Sequence, residues 1–123
     1  MGNPNNSSIR RIINAFRYTF AGLKAAWVNE ESFRQETSLI ILVVPLAIWL
    51  GSSGTQRALL IGIYLIIPLV ELLNSAIESI VDRIGEERNE LSGKAKDLGS
   101  AAVFTSICIA LTVWIIIACE RFF

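Results

Sequence analysis

The chain has 123 residues, 53% of them hydrophobic, and its 11 basic and 11 acidic side chains give a net charge of zero. This length allows one domain without a second core, and the positive mean hydropathy is typical of a membrane protein. The absence of histidine excludes imidazole acid–base chemistry and histidine-ligated metals.

The N-terminal part predicts a helix that lies on a membrane surface. Residues 1–8 are polar and predict a disordered arm, and Ser7 or Ser8 can cap a helix over residues 9–28. From Ile9 to Trp27, apolar side chains recur at intervals of three and four, while basic side chains occupy the other faces. A basic amphipathic helix of this kind usually lies in the plane of the lipid headgroups.

Three apolar runs follow and predict transmembrane helices over residues 33–51, 58–84 and 96–120, with a polar loop over residues 85–95. Pro45 and Pro68 each predict a bend. The predicted fold class is therefore all-α, a surface helix plus three transmembrane helices in a single membrane domain over residues 1–123. Because basic residues concentrate before the first span and in the loop, the N-terminus and loop are expected in the cytoplasm and the C-terminus outside.

The second span carries an acidic stripe. At about 100° per residue, Glu71 and Glu78 fall about 20° apart on a helix, and Asn74 and Asp82 lie within about 60° of Glu71. An acidic side chain at the membrane centre costs about 2.5–3.5 kcal/mol, so this face needs protein, water or a ligand. A polar contact between packed helices is the alternative, but several carboxylates need a countercharge, which favours a functional site.

The predicted topology brings two carboxylate-bearing segments, residues 30–36 and 71–97, to the cytoplasmic membrane surface. Carboxylates without histidine suit a hard cation such as Mg²⁺, Lys94 and Lys96 suit a phosphate, and a buried glutamate suits a general base. The sequence contains neither a P-loop nor a protein-kinase catalytic loop. The pattern alone therefore predicts a cation-dependent interfacial membrane protein.

Six segments resemble the prokaryotic integral-membrane diacylglycerol kinases: Gly22-Leu-Lys24, Ala25-Ala-Trp-Val-Asn-Glu30, Phe33-Arg-Gln-Glu36, Glu71-Leu-Leu-Asn-Ser-Ala-Ile-Glu-Ser-Ile-Val-Asp-Arg-Ile-Gly85, Glu90-Leu-Ser-Gly-Lys-Ala-Lys-Asp97 and Gly99-Ser-Ala-Ala102. The likeness covers nearly the whole chain in order. It implies an ATP-dependent lipid kinase that transfers the γ-phosphoryl group of MgATP to the primary hydroxyl of 1,2-diacylglycerol, giving phosphatidic acid. It also implies a homotrimer in the bacterial cytoplasmic (inner) membrane.

The resemblance implies roles for individual residues. Glu71 matches the general base, Glu30 and Glu78 match metal-holding carboxylates, and Asn74 and Asp82 complete the polar face. ATP contacts are implied at Arg11, Tyr18, Glu30, Glu78, Glu87, Asn89, Lys96 and Asp97. Lipid-substrate contacts are implied at Thr19, Lys24, Trp27, Phe33, Arg34, Glu36, Glu71 and Ser100. The implied cofactor is Mg²⁺ with ATP as co-substrate, and the implied partners are diacylglycerol, MgATP and the bilayer, with no nucleic acid.

Two alternatives remain open at this point. The undecaprenol kinases share the Asn-x-Ala-Ile-Glu core found here at residues 74–78 and act on a different lipid. A small proton-coupled transporter would also use a membrane glutamate, without needing the charged loop. The sequence also departs from the family pattern at Asn89, where the family often has histidine, at Thr19-Phe-Ala, and at Pro68 beside the stripe.

Overall fold

The computed structural model describes residues 4–85 and 89–123, with side chains described from residue 7 onwards. The described residues form the helices α1 (Pro4–Asn29), α2 (Glu31–Ser38), α3 (Ile40–Leu50), α4 (Gly54–Ile84) and α5 (Glu90–Phe122). None of these residues forms a β-strand, so the all-α prediction is confirmed.

Within the described residues, three stretches of helix are long and apolar enough to cross a membrane, as the sequence predicts. They are Glu31–Leu50, which joins α2 to α3, Gly54–Ile84 and Glu90–Phe122. The first is nearly continuous across its junction, because the Leu39 N–H donates to the Gln35 carbonyl at 3.0 Å and the Leu39 carbonyl accepts from the Val43 N–H at 2.8 Å. Pro45 lies inside α3 and Pro68 inside α4, and neither proline ends its helix.

The helix ends differ from the predicted boundaries at two places. α1 begins at Pro4, inside the segment 1–8 predicted as a disordered arm, because the fixed φ of proline suits the first helical position. α5 begins at Glu90, inside the predicted loop 85–95. There the Asn89 Oδ1 accepts the backbone N–H of Leu91 at 2.8 Å and lies 3.4 Å from that of Ser92, so the first turn of the helix is capped.

α4 and α5 pack against each other in antiparallel register and form the main helix–helix contact of the chain. At one end, the Trp114 indole N–H donates to the Leu60 carbonyl at 3.2 Å. At the other end, Gly99 lies against Asn74. The two pairs fix the register, because fourteen residues separate Leu60 from Asn74 and fifteen separate Gly99 from Trp114.

The buried core lies at the α3–α4 turn, at the opposite end of α4 from the acidic stripe. It consists of Ala47, Leu50, Leu60 and Ile117, with Trp114 packed beside it. Polar contacts close this end: Gln56 Nε2 donates to Glu120 Oε2 at 2.9 Å, and Arg57 Nε donates to the Ile48 carbonyl at 3.0 Å. This core fixes how α3, α4 and α5 approach one another, and so where the stripe on α4 faces.

Large apolar side chains remain exposed along the outside of a single chain. The predicted stripe of α1 is among them, with Ile12, Phe16 and Phe20 all more than half exposed. Such faces are costly in water, and they match the environment of a bilayer or of neighbouring helices.

Candidate functional site

The acidic stripe of α4 runs from the interior of the chain to its surface. Glu71 is buried, with 8% of its surface exposed, Asn74 and Glu78 are half-buried, and Asp82 is exposed. The four side chains are three or four residues apart, so they share one helix face. The predicted stripe therefore has a graded depth, with Glu71 as its innermost carboxylate.

Carboxylates from α2 and from the α1–α2 junction meet this face. Glu30 and Glu78 both lie close enough to Glu71 to interact with it electrostatically. The Glu36 side chain lies close enough to Glu71 to interact with it, and a hydrogen bond between the two carboxyl groups would need one proton because an ionised carboxylate only accepts. Glu36 Oε2 is buried and has no hydrogen-bond partner among the described residues.

The backbone places both of these additional glutamates. Glu30 is extended (φ −115°, ψ 106°) between α1 and α2, and its side chain makes no capping bond, so its carboxylate stays free to point at α4. Glu36 is held by Tyr64 of α4, whose hydroxyl donates to the Glu36 carbonyl at 2.6 Å. These two features bring together acids that are about 40 residues apart in the sequence.

Asn74 connects the stripe to α5. Its Nδ2 donates to Glu78 Oε1 at 3.3 Å. Its Oδ1 is buried, faces Gly99 and has no hydrogen-bond partner among the described residues.

Residues for which phosphate or ATP contacts are predicted lie at the surface end of the stripe, near Asp82. Lys96 Nζ forms an ion pair with Asp82 Oδ1 at 2.7 Å, and both side chains are exposed. Asp97 and Ser100 are also exposed on α5, while Asn89 caps that helix. Glu87 lies outside the described residues.

A groove of about 600 Å³ separates α1 from α4 and contains part of the predicted site. Tyr18, Thr19 and Glu30, for which the resemblance implies substrate contacts, line it. Its walls also contain residues to which the sequence assigned no individual role: Gly22, Leu23, Ala25, Ala26, Asn29, Leu72, Ser75, Ala76 and Ser79. A signal for the α4 wall was available in the sequence, since Ser75 and Ser79 are one turn apart and each follows a residue of the stripe.

The remaining predicted contacts fall into two groups. Arg11, Lys24 and Trp27 have exposed side chains on α1. Phe33 is buried, and Arg34 donates to the carbonyls of Trp27 and Val28 at 2.8 and 2.9 Å, which caps the end of α1. In a single chain, therefore, Phe33 and Arg34 hold the α1–α2 corner in place.

The carboxylate oxygens of Glu30 and Glu78 suit a hard cation that is also bound by a ligand. Among the described residues there is no group of three or more acidic or thiol side chains arranged to hold a metal ion. Glu30 and Glu78 nevertheless both face Glu71, and they offer only oxygen donors. Protein sites for Mg²⁺ commonly use one or two carboxylates and leave the other positions to water and substrate phosphates.

Comparison with known proteins identifies relatives along nearly the full chain. A family model described as "Prokaryotic diacylglycerol kinase" matches residues 17–118. The diacylglycerol kinase of Escherichia coli K12 is 48% identical over 118 residues, which cover 96% of this chain and 97% of that protein. Those of Haemophilus influenzae and Pseudomonas aeruginosa are 46% and 44% identical over 108 residues, covering 88% of this chain and 92% and 88% of their own lengths.

Proposed function

The chain belongs to the prokaryotic diacylglycerol kinase family, and from that premise we propose that it is an ATP-dependent lipid kinase. It transfers the γ-phosphoryl group of ATP to the primary hydroxyl of 1,2-diacylglycerol and forms phosphatidic acid at the membrane surface. The observation that carries this proposal is the position of Glu71, a buried carboxylate that faces Glu30, Glu36 and Glu78 on a membrane-spanning helix.

In this proposal Glu71 is the general base. The lipid hydroxyl oxygen forms a bond to the γ-phosphorus, the bond from that phosphorus to the β,γ-bridging oxygen breaks, and ADP leaves. The hydroxyl proton passes to Glu71. If Glu36 carries a proton, it can donate to one oxygen of Glu71 and leave the other oxygen for the substrate; the closeness of the two side chains supports this role.

The nucleotide end of the site is proposed at the surface end of the stripe. Glu30 and Glu78 would hold Mg²⁺ together with ATP phosphates, and the cation would neutralise charge on those phosphates. Lys96 supplies a cation for the phosphates, and further ATP contacts are proposed at Arg11, Tyr18, Glu87, Asn89 and Asp97. Phosphoryl transfer depends mostly on positioning and electrostatic stabilisation, which a site of this composition supplies.

The lipid end is supported by an apolar groove of about 310 Å³ between α3, α4 and α5. Val43, Leu46, Ile67 and Leu111 line it, and so does Tyr64, the residue that holds Glu36. Tyr64, Ile67 and Glu71 follow one another at helical spacing along one face of α4. A substrate with its hydroxyl at Glu71 could therefore place a hydrocarbon chain in the apolar groove, which continues along α4 past Ile67 and Tyr64. Contacts nearer the headgroup are proposed at Thr19, Lys24, Trp27, Phe33, Arg34, Glu36 and Ser100.

We further propose a homotrimer in the bacterial inner membrane, with the N-terminus and active site in the cytoplasm and the C-terminus outside. The exposed apolar faces of the described helices support the burial of each chain against lipid and other copies. The orientation rests on the concentration of lysine and arginine in residues 10–34 and 83–96.

The experiment that tests the function measures phosphatidic acid formed by the purified chain in lipid bilayers with diacylglycerol and MgATP. Glu71→Gln is the control, because it keeps the size of the side chain and removes the base. Product from the wild type is expected, with a rate at least about 100-fold lower from the variant. No product with diacylglycerol, or clearly better turnover of undecaprenol assayed in parallel, would reject the proposed substrate.

A further inference from the structure

Gly99 has an unusually close neighbour. It is buried in α5, and a Cβ atom at this position would lie 3.2 Å from Asn74 Cγ, 3.9 Å from Asn74 Cβ and closer still to Oδ1. Such a methyl group cannot be accommodated unless Asn74 moves. While the Asn74 side chain keeps this conformation, the position on α5 beside it therefore accepts only glycine.

The other described glycines within helices do not share this feature. A Cβ atom at Gly22, Gly54, Gly62 or Gly93 would meet nothing within 4 Å. Glycine is unfavourable inside a helix compared with alanine. Its presence at the contact with Asn74 therefore calls for a reason specific to that contact.

The contact fixes the orientation of the Asn74 amide. Since Glu78 can only accept when ionised, the NH₂ end of the amide must face it, and Nδ2 lies 3.3 Å from Glu78 Oε1. The carbonyl end then faces Gly99, where Oδ1 is buried without a hydrogen-bond partner among the described residues. A glycine Cα–H beside a carbonyl oxygen is a weak but favourable neighbour, whereas a methyl group at this distance would push the amide away.

We propose that Gly99 is a positioning residue for the nucleotide end of the site. By letting Asn74 lie flat against α5, it keeps the Asn74 amide on Glu78 and so orients a carboxylate that holds the metal–nucleotide. This inference rests on the proposed function, since it assumes the role given there to Glu78. Outer partners that orient a metal ligand typically change metal affinity or activity by about 10- to 100-fold.

The test compares Gly99→Ala with Gly93→Ala, which adds the same methyl group to the same helix where space is open. Binding of Mn²⁺·ATP is measured by electron paramagnetic resonance on the full-length protein, together with steady-state kinetics and thermal unfolding. Gly99→Ala is expected to weaken Mn²⁺·ATP binding and to raise the KM for MgATP by about tenfold or more. Gly93→Ala is expected to match the wild type. A Gly99→Ala protein that unfolds at lower temperature but binds Mn²⁺·ATP normally would show a packing role only and overturn the proposal.

A second pair of variants keeps the test decisive if Gly99→Ala does not fold. Asn74→Ala removes the group that the methyl would strike, so Asn74→Ala/Gly99→Ala has room for both side chains. The double variant is expected to bind Mn²⁺·ATP as weakly as Asn74→Ala alone, because both changes act through one contact. A further loss in the double variant would mean that Gly99 acts independently of Asn74, and would overturn the proposal. Failure of the wild type to make phosphatidic acid would instead reject the function, a separate outcome in the same set of assays.

Discussion

At the scale of single residues, the carboxylates differ in what they are expected to do because they differ in depth. Glu71 is buried beside Glu36, whereas Glu78 is half-buried, accepts a hydrogen bond from Asn74 and lies closer to the surface. A base must meet the lipid hydroxyl inside the membrane. A metal ligand must meet phosphates at the surface.

Glutamine substitutions should separate these two roles. Glu71→Gln is expected to lower kcat by at least about 100-fold, within the usual contribution of a general base, while the KM for MgATP changes little. Glu78→Gln is expected to raise the KM for MgATP as well as lowering kcat. Steady-state kinetics with each substrate varied would check both. Normal kcat at saturating MgATP in both variants would contradict the assigned roles.

The partner of Glu71 gives a second prediction. Because Glu36 is expected to donate to Glu71, Glu36→Gln keeps a donor in place and should retain most of the activity. Glu36→Ala removes the donor and should lower kcat by roughly tenfold or more, as expected for loss of a group that orients a catalytic side chain. Equal losses in the two variants, measured with diacylglycerol at saturation, would show that Glu36 acts through its charge.

At the scale of helices, the sequence predicts which helices form better than it predicts where each helix begins and ends or which residues touch between helices. The three apolar runs and the face shared by Glu71 and Glu78 follow from hydropathy and from the helical period, and both are present in the structure. The start of α5 at Glu90 does not follow from hydropathy, because Asn89 begins that helix in a polar segment. Local patterns do not give contacts across long separations either, such as Tyr64 with the carbonyl of Glu36 or Asn74 with Gly99.

Asn89 has two roles to separate. The structure shows that it caps α5, whereas the resemblance implies a nucleotide contact at this residue. Asn89→Ala is expected to destabilise the start of that helix by about 1 kcal/mol, the usual effect of losing an N-cap. Faster hydrogen exchange at the amides of Leu91 and Ser92 would report the loss. Asn89→Asp keeps the cap and should exchange as slowly as the wild type. If it binds MgATP less tightly, the added charge lies close to the phosphates, as the proposed ATP contact requires.

At the scale of the whole molecule, the acidic cluster and the apolar groove lie one after the other along α4. The acidic cluster lies towards the Ile84 end, the apolar groove follows it through Tyr64 and Ile67, and the buried core at the α3–α4 turn closes the other end. A diacylglycerol molecule has the same order, a polar hydroxyl followed by hydrocarbon. The family resemblance predicts the reaction, but the groove could not be predicted from the sequence, because its walls come from three helices whose apolar residues look alike in a hydropathy pattern.

This arrangement predicts that the groove sets the preference for acyl-chain length. Leu46→Phe adds bulk at the groove wall, whereas Leu42→Phe makes the same change one turn earlier on α3, at a side chain that does not line the groove. Each methylene displaced from an apolar site costs about 0.8 kcal/mol, so displacement of two weakens binding roughly tenfold. Leu46→Phe should therefore raise the KM for long-chain diacylglycerols by about that factor and leave short-chain substrates and MgATP unaffected, while Leu42→Phe should behave as the wild type. An equal loss for long and short chains would place the hydrocarbon elsewhere. A changed oligomeric state in Leu46→Phe would instead mean that a neighbouring copy fills the groove.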